Sequence, residues 1–187
     1  MTHSGLEELP SLPDLVTLHL RHQGLTPELS AANAQAAFVC LNRHHAPPTP
    51  FDVSTWSDGL TERYLLTWIS PQEPAMRAWA NPDDATEAGA YAIALASLEA
   101  RYGQFALSRT GRHTGSDWWI GYPSVDTELN LEKAMRLEVA GMDRSSDEAH
   151  LLSRLSRKVE QVRKASSAPA RAVVVAFSAR RVAFRDT

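Results

Sequence analysis

The chain has 187 residues, of which 43% are hydrophobic and 22% charged, so it can bury a proper core. Eleven prolines and nine glycines in an otherwise ordinary composition exclude a disordered, collagen-like or coiled-coil chain. No apolar run approaches the roughly 20 residues that cross a bilayer, and residues 1–13 lack the regions of a signal peptide. We therefore expect a soluble, cytoplasmic protein that makes no membrane contact.

The net charge of −3 is unevenly distributed along the chain. Residues 150–187 carry nine basic and two acidic side chains, a net charge of +7, which leaves −10 for the rest. A basic segment on an acidic body attracts nucleic acid, an acidic protein partner or a second copy of the chain. The alternative is a solvated helix face, which is the usual role of a charge run.

Residues 1–80 predict an extension with one helix and one β-hairpin. Thr26 as N-cap and Pro27 as the first helical residue predict a helix that ends near Leu41. The proline cluster at 46–50 marks a linker or an ordered turn. Two strand-like runs between residues 51 and 69 flank Ser57-Asp58-Gly59, a hairpin signal. The single cysteine, Cys40, lies in an apolar stretch and predicts a buried thiol.

Residues 81–187 predict a second unit with alternating helices and strands. A helical pattern begins near Thr86, with Asp83 or Asp84 as its cap, and ends at Gly103. It is followed by two strands at 105–110 and 115–122, a segment at 134–141, a helix at 146–164 and a strand at 171–177. The segment 134–141 also fits the end of a helix that begins near Asp126, but its strictly alternating apolar residues favour a strand.

The resulting order is helix, strand, strand, strand, helix, strand. It places a mixed sheet against two helices, an arrangement in which the ends of adjacent central strands bring side chains together. We therefore predict an α/β fold of the mixed-sheet α+β type for residues 81–187. Residues 1–80 would serve in recognition or docking.

Two acidic residues lie in otherwise apolar strands of this unit, Asp117 in GSDWW and Glu138 in RLEVA. With the order of elements, they make residues 84–178 resemble the PD-(D/E)XK nuclease superfamily, which has the restriction-endonuclease-like fold. In that superfamily an Asp on the second strand and a Glu on the third bind a divalent metal. The resemblance implies Asp117 and Glu138 as catalytic residues and as ligands of Mg²⁺ or Mn²⁺, with Glu99 of the first helix as a third ligand.

The superfamily often adds a Lys or Gln from the helix that follows the third strand, and the matching residues are Lys158 and Gln161. Its third strand also carries a Lys two residues after the Glu, where this chain has Ala140. That Lys helps to position the nucleophile, so either Lys158 replaces it or the site is inactive. The basic face of the same helix would bind nucleic acid through Arg154, Arg157, Lys158, Arg163 and Lys164.

The choice of residue types has a physical reason that is independent of the resemblance. Hard cations such as Mg²⁺ take oxygen ligands and commonly need only one or two carboxylates plus a substrate phosphate. An ionised carboxylate in an apolar strand costs free energy unless a cation, an arginine or hydrogen bonds compensate it. The competing interpretation is therefore that Asp117 and Glu138 form structural ion pairs with Arg136 or Arg109.

Other side chains give weaker signals. Adjacent His44 and His45 have no cysteine or acid at the spacing of a zinc site, and His113 lies in an exposed turn near Asp117. Of the consecutive tryptophans 118 and 119, one is expected in the core and the other at a surface. The chain also lacks the sequence patterns of P-loop, α/β-hydrolase and Rossmann sites.

The sequence thus favours a metal-dependent nuclease that cleaves DNA or RNA. Because its acidic body would repel free duplex DNA, we expect its activity to depend on a partner, a guide or a restricted substrate. The alternatives are an inactive nuclease fold that binds nucleic acid or protein, and a small interaction protein of a bacterial defence or toxin system that self-associates head to tail.

Overall fold

The structure, a computed structural model, describes residues 9–111, 115–122, 131–144, 147–165 and 168–187. The helices and strands in these ranges are, in chain order, α1 (Pro27–Asn42), β1 (Thr49–Thr55), β2 (Thr61–Leu66), α2 (Glu73–Ala78), α3 (Pro82–Tyr102), β3 (Phe105–Arg109), β4 (Trp118–Gly121), β5 (Met135–Met142), α4 (Glu148–Ala165), β6 (Ala170–Ala176) and β7 (Arg181–Asp186). Short 3-10 helices lie at Leu18–Leu20 and Leu131–Lys133. The fold is α+β, as predicted.

The strands form one mixed sheet in the order β2-β1-β7-β6-β5-β4-β3. β5 runs parallel to β6 and β1 parallel to β7, whereas the other neighbours are antiparallel. Every residue of β6 is buried, which its continuous β-branched run explains. The segment 134–141 is a strand, so the alternation of apolar residues correctly favoured β structure there.

The two faces of the sheet have separate hydrophobic cores. α1 and α3 cover one face, and α4 covers the other with Leu151, Leu155 and Val159. Alternate residues of β5 contribute to the two cores, because successive side chains of a strand point to opposite faces. Leu137 and Val139 pack on the α3 side, whereas residues 140 and 142 pack on the α4 side.

Capping residues set where the helices begin and end. Thr26 Oγ1 accepts a hydrogen bond of 3.2 Å from the Leu29 amide, which confirms the predicted start of α1. The predicted cap of α3 is wrong. Asn81 caps this helix, because its Oδ1 accepts from the Asp83 amide and Pro82 fits the first helical position. Gly103 ends α3 in the left-handed conformation, with φ of 59°.

Two elements are absent from the sequence-based prediction, α2 and β7. β7 lies between β1 and β6, in a segment beyond 171–177, the last element that the sequence predicted. β4 begins three residues later than the predicted strand at 115–122. The turn residue His113 and the predicted starts of helices at Asp126 and Ser146 lie outside the described residues.

Residues on both sides of the predicted boundary at 80/81 share one buried core. The hairpin β1–β2 extends the sheet through the parallel pairing of β1 with β7. α1 packs closely on α3, and a Cβ atom added at Gly89 would lie 2.8 Å from Ala37 Cα. Cys40 is fully buried in this interface, and burial raises the pKa of its thiol to about 11. In the described part of the chain, no helix has both the length and the apolarity to cross a membrane.

We predict that Gly89→Ala lowers the free energy of unfolding by about 1 to 3 kcal/mol, because the methyl group would force α1 away from α3. Urea unfolding followed by circular dichroism measures this change. Gly111→Ala is the matched control, since the space around Gly111 is open and its substitution should be close to neutral. Equal stability of the two variants would contradict the close helix contact.

His22 connects the first 3-10 helix with α3 and β3. The ring is fully buried, its Nδ1 accepts from the Ala106 amide at 2.9 Å, and its Nε2 lies 3.2 Å from Glu99 Oε2. This pattern requires a neutral ring with the proton on Nε2. Burial lowers the pKa of His22 below its usual value and outweighs the opposing effect of Glu99, while nearby Arg21 adds to the lowering.

A lowered pKa in the folded state means that the unfolded chain takes up the proton more readily. The contribution of His22 to stability is therefore complete above about pH 6.5, its ordinary pKa, and is lost as the pH falls towards the lower folded value. We predict that the melting temperature decreases as the pH is lowered from 7.5 to 5.5, and that His22→Gln makes this decrease smaller. His150→Gln, at an exposed position, should leave it unchanged; an equal effect of both variants would exclude His22 as a source.

Candidate functional site

The candidate site lies where β4 stops covering β5. β6 pairs with β5 over residues 136–142, but β4 pairs with it only over residues 135–137. The Asp117 amide extends this pairing by one hydrogen bond, 2.8 Å from Leu137 O. From residue 138 onward this edge of β5 is free of β4, and it faces a cavity between the edges of α3 and α4.

The Asp117 side chain takes the place of β4 as a hydrogen-bond partner at the start of this open edge. Its Oδ2 accepts from the Val139 amide at 2.9 Å, and its Oδ1 accepts from the Tyr91 hydroxyl at 2.9 Å. Burial and the adjacent Asp117 carboxylate raise the pKa of Tyr91, so the hydroxyl stays protonated and acts as the donor. Asp117 thus lines the cavity with a carboxylate that β5 and α3 hold in place.

Glu138 reaches the same cavity from the α4 side of the sheet, as the alternation along β5 requires. Its Oε1 accepts from Lys158 Nζ at 2.6 Å and from Gln161 Nε2 at 3.1 Å. The residue is only 5% exposed. Burial and the neighbouring Asp117 carboxylate raise the pKa of Glu138, whereas Lys158 acts in the opposite direction.

The cavity has a volume of about 350 Å³ and a charged lining. Four carboxylates and two basic side chains face it, so its balance of charge is negative. The lining residues are Asp83, Thr86, Glu87, Tyr91, Asp117, Glu138, Val139, Ala140, Gly141, Arg154 and Lys158. Two of these acids come from α3 and two from adjacent strands, an arrangement that can attract a cation.

The structure brings together five of the residues that the sequence singled out. The cavity is lined by Asp117, Glu138, Arg154 and Lys158. Gln161 donates a hydrogen bond to Glu138. Glu99 is not among the lining residues. Its carboxylate is occupied by Arg21, whose Nε lies 2.7 Å from Oε1, and by His22.

Glu87 and Asp83 occupy the position on α3 that the sequence assigned to Glu99. Glu87 lies 12 residues before Glu99, which corresponds to about 18 Å along a helix. Together with Tyr91 they are spaced four residues apart and lie on one helix face. The spacing of four residues is visible in the sequence. It shows which residues of α3 line the cavity only when the orientation of α3 over the sheet is known.

The basic residues of α4 divide between two surfaces. Arg154 and Lys158 line the cavity, and the buried Arg154 Nε has no hydrogen-bond partner within the described residues. Arg157, Arg163 and Lys164 are exposed away from it. Lys164 Nζ lies 3.0 Å from Glu160 Oε1, an exposed pair of the i,i+4 type. A role of these three in nucleic-acid binding stays a prediction.

The arginines of the competing ion-pair interpretation have other contacts. The Arg109 guanidinium lies over the rings of Tyr91 and Trp118, at 5.0 and 4.5 Å from their centroids. Arg136 Nη2 donates to Ala168 O at 2.6 Å. The cation next to Glu138 is Lys158.

The histidine pair and the tryptophan pair have structural contacts. His44 Nε2 lies 3.1 Å from Asp143 Oδ1, and His45 Nε2 lies 2.9 Å from Phe177 O. Trp118 is completely buried, whereas Trp119 is half-buried on the other side of β4. Within the described ranges, no group of three or more His, Cys, Asp or Glu side chains is arranged to hold a metal ion.

No family model, curated protein or solved structure matches the chain. The nuclease resemblance therefore stays a prediction that depends on the order of elements and on the residues of this cavity.

Two buried acids of this chain are expected to affect stability in opposite directions. Glu138→Gln should raise the free energy of unfolding by about 1 kcal/mol, because it removes a buried charge beside Asp117. Glu99→Gln should lower it by about 1 kcal/mol, because the amide keeps one acceptor oxygen where the carboxylate supplies one each to Arg21 and His22. Chemical denaturation at pH 7.5 measures both. Destabilisation by both substitutions would mean that Glu138 has only a structural role.

Proposed function

We propose that this protein is a metal-dependent nuclease that hydrolyses phosphodiester bonds in DNA or RNA. The observation that carries the proposal is the convergence of Asp117, Glu138 and Lys158 on one polar cavity at the open edge of β5. The order of elements around this cavity resembles the PD-(D/E)XK core, and the same residues match its motif. The geometry adds that the three side chains meet in space.

The donor set suits Mg²⁺ or Mn²⁺. Such sites commonly use one or two carboxylates and complete the coordination with water and substrate phosphate, so Asp117 and Glu138 are sufficient protein ligands. Both hydrogen bonds to Glu138 end on Oε1, which leaves Oε2 without a nitrogen donor in the described part of the chain. Glu87 and Asp83 line the same space and can bind through water. A bound metal supplies a Lewis acid that polarises the phosphoryl group.

The chain's own residues bind and orient the reacting groups. Tyr91 and the Val139 amide hold the Asp117 carboxylate in one orientation. Arg154 and Lys158 face the cavity with positive charge, which favours entry of a phosphate despite the surrounding acids. Hydrolysis forms a bond from water oxygen to phosphorus and breaks the bond to the leaving oxygen. Lys158 can stabilise the charge that develops on a phosphate oxygen as this occurs.

The position of Lys158 explains how the site tolerates Ala140. Residue 140 faces the α4 side of β5, the side from which Glu138 is contacted. A lysine at residue 140 would therefore reach the α4 side of the cavity. Lys158 brings its ammonium group to Glu138 from α4 instead, at 2.6 Å. We propose that Lys158 replaces the usual third-strand lysine.

The nuclease proposal predicts that purified protein cleaves plasmid, single-stranded DNA or RNA in Mg²⁺ or Mn²⁺ and that excess EDTA stops cleavage. Asp117→Asn and Glu138→Gln should each reduce the rate at least about 100-fold, because each removes a carboxylate charge from the metal site. Lys158→Met should reduce it about 100-fold while sparing Mn²⁺ affinity. Gel electrophoresis of the products and calorimetric titration of Mn²⁺ measure these quantities.

Glu160→Gln is the matched control, because Glu160 lies on the same helix as Lys158 but is exposed and outside the cavity. It should cleave at the rate of the unsubstituted protein. Cleavage that survives all three site substitutions would identify a contaminating nuclease and overturn the proposal. A Lys158→Met variant with full activity would overturn only the assigned role of Lys158.

A second candidate is a nuclease fold that binds nucleic acid or protein without cleaving it. The ion pair between Lys158 and Glu138 favours it, because this contact compensates the buried carboxylate without a metal. The two candidates differ in the Mn²⁺ titration. A one-site binding isotherm that Asp117→Asn abolishes supports the nuclease, whereas absence of binding heat together with absence of cleavage supports the binding protein.

A further inference from the structure

A second cavity adjoins the candidate active site and lies between α1, α3 and β3. Its volume is about 320 Å³, within the range of pockets that bind small molecules. Tyr91 and Glu87 line both cavities, so the two form neighbouring compartments of one groove. On the other side of Tyr91, the second cavity is bordered by Leu29, Asn33, Asp84, Ala88 and Arg109.

Asn33 is the buried polar group of this second cavity. Only 5% of the residue is exposed, and the structure gives its side chain no hydrogen bond in the described part of the chain. The amide atoms themselves are accessible from the cavity, because they have no hydrogen-bond partner in the described part of the chain and are not fully buried. A carboxamide that lines a cavity with its donors and acceptor unused indicates a polar ligand.

Arg109 closes the end of the cavity near β4. Its guanidinium is held on the faces of Tyr91 and Trp118, and no carboxylate lies within ion-pair distance of it among the described residues. Stacking fixes the position of the group without neutralising its charge. An arginine that is oriented in this way can bind a phosphate.

The rest of the lining suits a base and its sugar rather than an isolated phosphate. Leu29 and Ala88 offer apolar surface against which a base can pack. Asp84 and Glu87 also line the cavity, and their negative charge disfavours an anion in its centre. A neutral, flat and polar-edged group fits this combination, with its phosphate directed towards Arg109.

We propose that this second cavity is a nucleobase subsite that selects adenine in the strand cleaved at the Asp117–Glu138 cavity. The proposal rests on the proposed function, because it places the base next to the phosphate that would be hydrolysed. Asn33 reads the base edge, and a carboxamide forms two hydrogen bonds with adenine, one to its amino group and one to a ring nitrogen. Arg109 binds the phosphate that joins this nucleotide to the next.

The same geometry implies a single-stranded or locally opened substrate. A base in a stacked duplex cannot enter a pocket between two helices without being turned out of the helix. Adenine selection and single-strand preference therefore both follow from the need for a base edge that is free of its pairing partner when it reaches Asn33.

Fluorescence anisotropy with labelled dA12, dC12 and dT12, in EDTA to prevent cleavage, tests the subsite. The unsubstituted protein should bind dA12 about 10-fold more tightly than dC12 or dT12. Asn33→Asp keeps the shape of the side chain but removes its donor, and it should abolish the preference, as should Asn33→Ala. Arg109→Gln should weaken binding of all three probes by a similar factor. Gln35→Ala, an exposed amide on the same helix, is the control and should retain the preference.

Sequencing of the ends released from a randomised single strand in Mn²⁺ gives a second readout, in which adenine should be enriched next to the cleaved bond. Equal affinity for the three probes, or a preference that survives both Asn33 substitutions, overturns the subsite and leaves the nuclease proposal standing if cleavage occurs. An adenine preference that Asn33→Asp removes, in a protein that cleaves nothing, supports the subsite and overturns only hydrolysis. Absence of both binding and cleavage overturns both proposals.

Discussion

The site depends on one interruption of the sheet, the point at which β4 stops pairing with β5. A backbone edge that is released from its partner strand must find other hydrogen-bond partners, because buried amides are rarely left unpaired. The Asp117 carboxylate meets this need at Val139. The same interruption opens the cavity and fixes the side chain that gives the cavity its charge.

The electrostatic arrangement at this position differs from that of the other buried acid in the chain. The Glu99 carboxylate is compensated by Arg21 and His22. These contacts stabilise the packing of α3 against the N-terminal segment. Glu138 has one ammonium group beside it and a second carboxylate close by, so part of its charge remains uncompensated. Buried acids in this second kind of environment are typical of functional sites, because stability alone would not select them.

Most of the fold could be predicted because hydrophobic period and capping residues agree along the chain. Alternation identified β5, and a continuous β-branched run identified β6. β7 was missed because its arginines mask a short apolar core of three residues, Val182 to Phe184, and because only tertiary pairing with β1 and β6 decides its state.

Site residues could be predicted on strands, where a side chain has only two possible directions. They could not be predicted on helices, where the rotation of the helix about its axis decides which side chains face the site. Asp117 and Glu138 were identifiable because a strand side chain has two directions, whereas Glu99 was named, and Glu87 was not, without knowledge of which face of α3 meets the sheet. Asn33 gave no signal at all, since one polar residue among alanines is ordinary in a helix and only the packing of α1 on α3 buries it.

The central place of β7 has a consequence for how the chain reaches this architecture. The hairpin β1–β2 is synthesised early, yet among the described strands it joins the rest of the sheet through β7, which begins 115 residues after the hairpin ends. Until then its inner edge is an unpaired strand edge, the type of surface that promotes association between nascent chains. The sheet is thus completed by a long-range pairing, and this topology is expected to make folding slow.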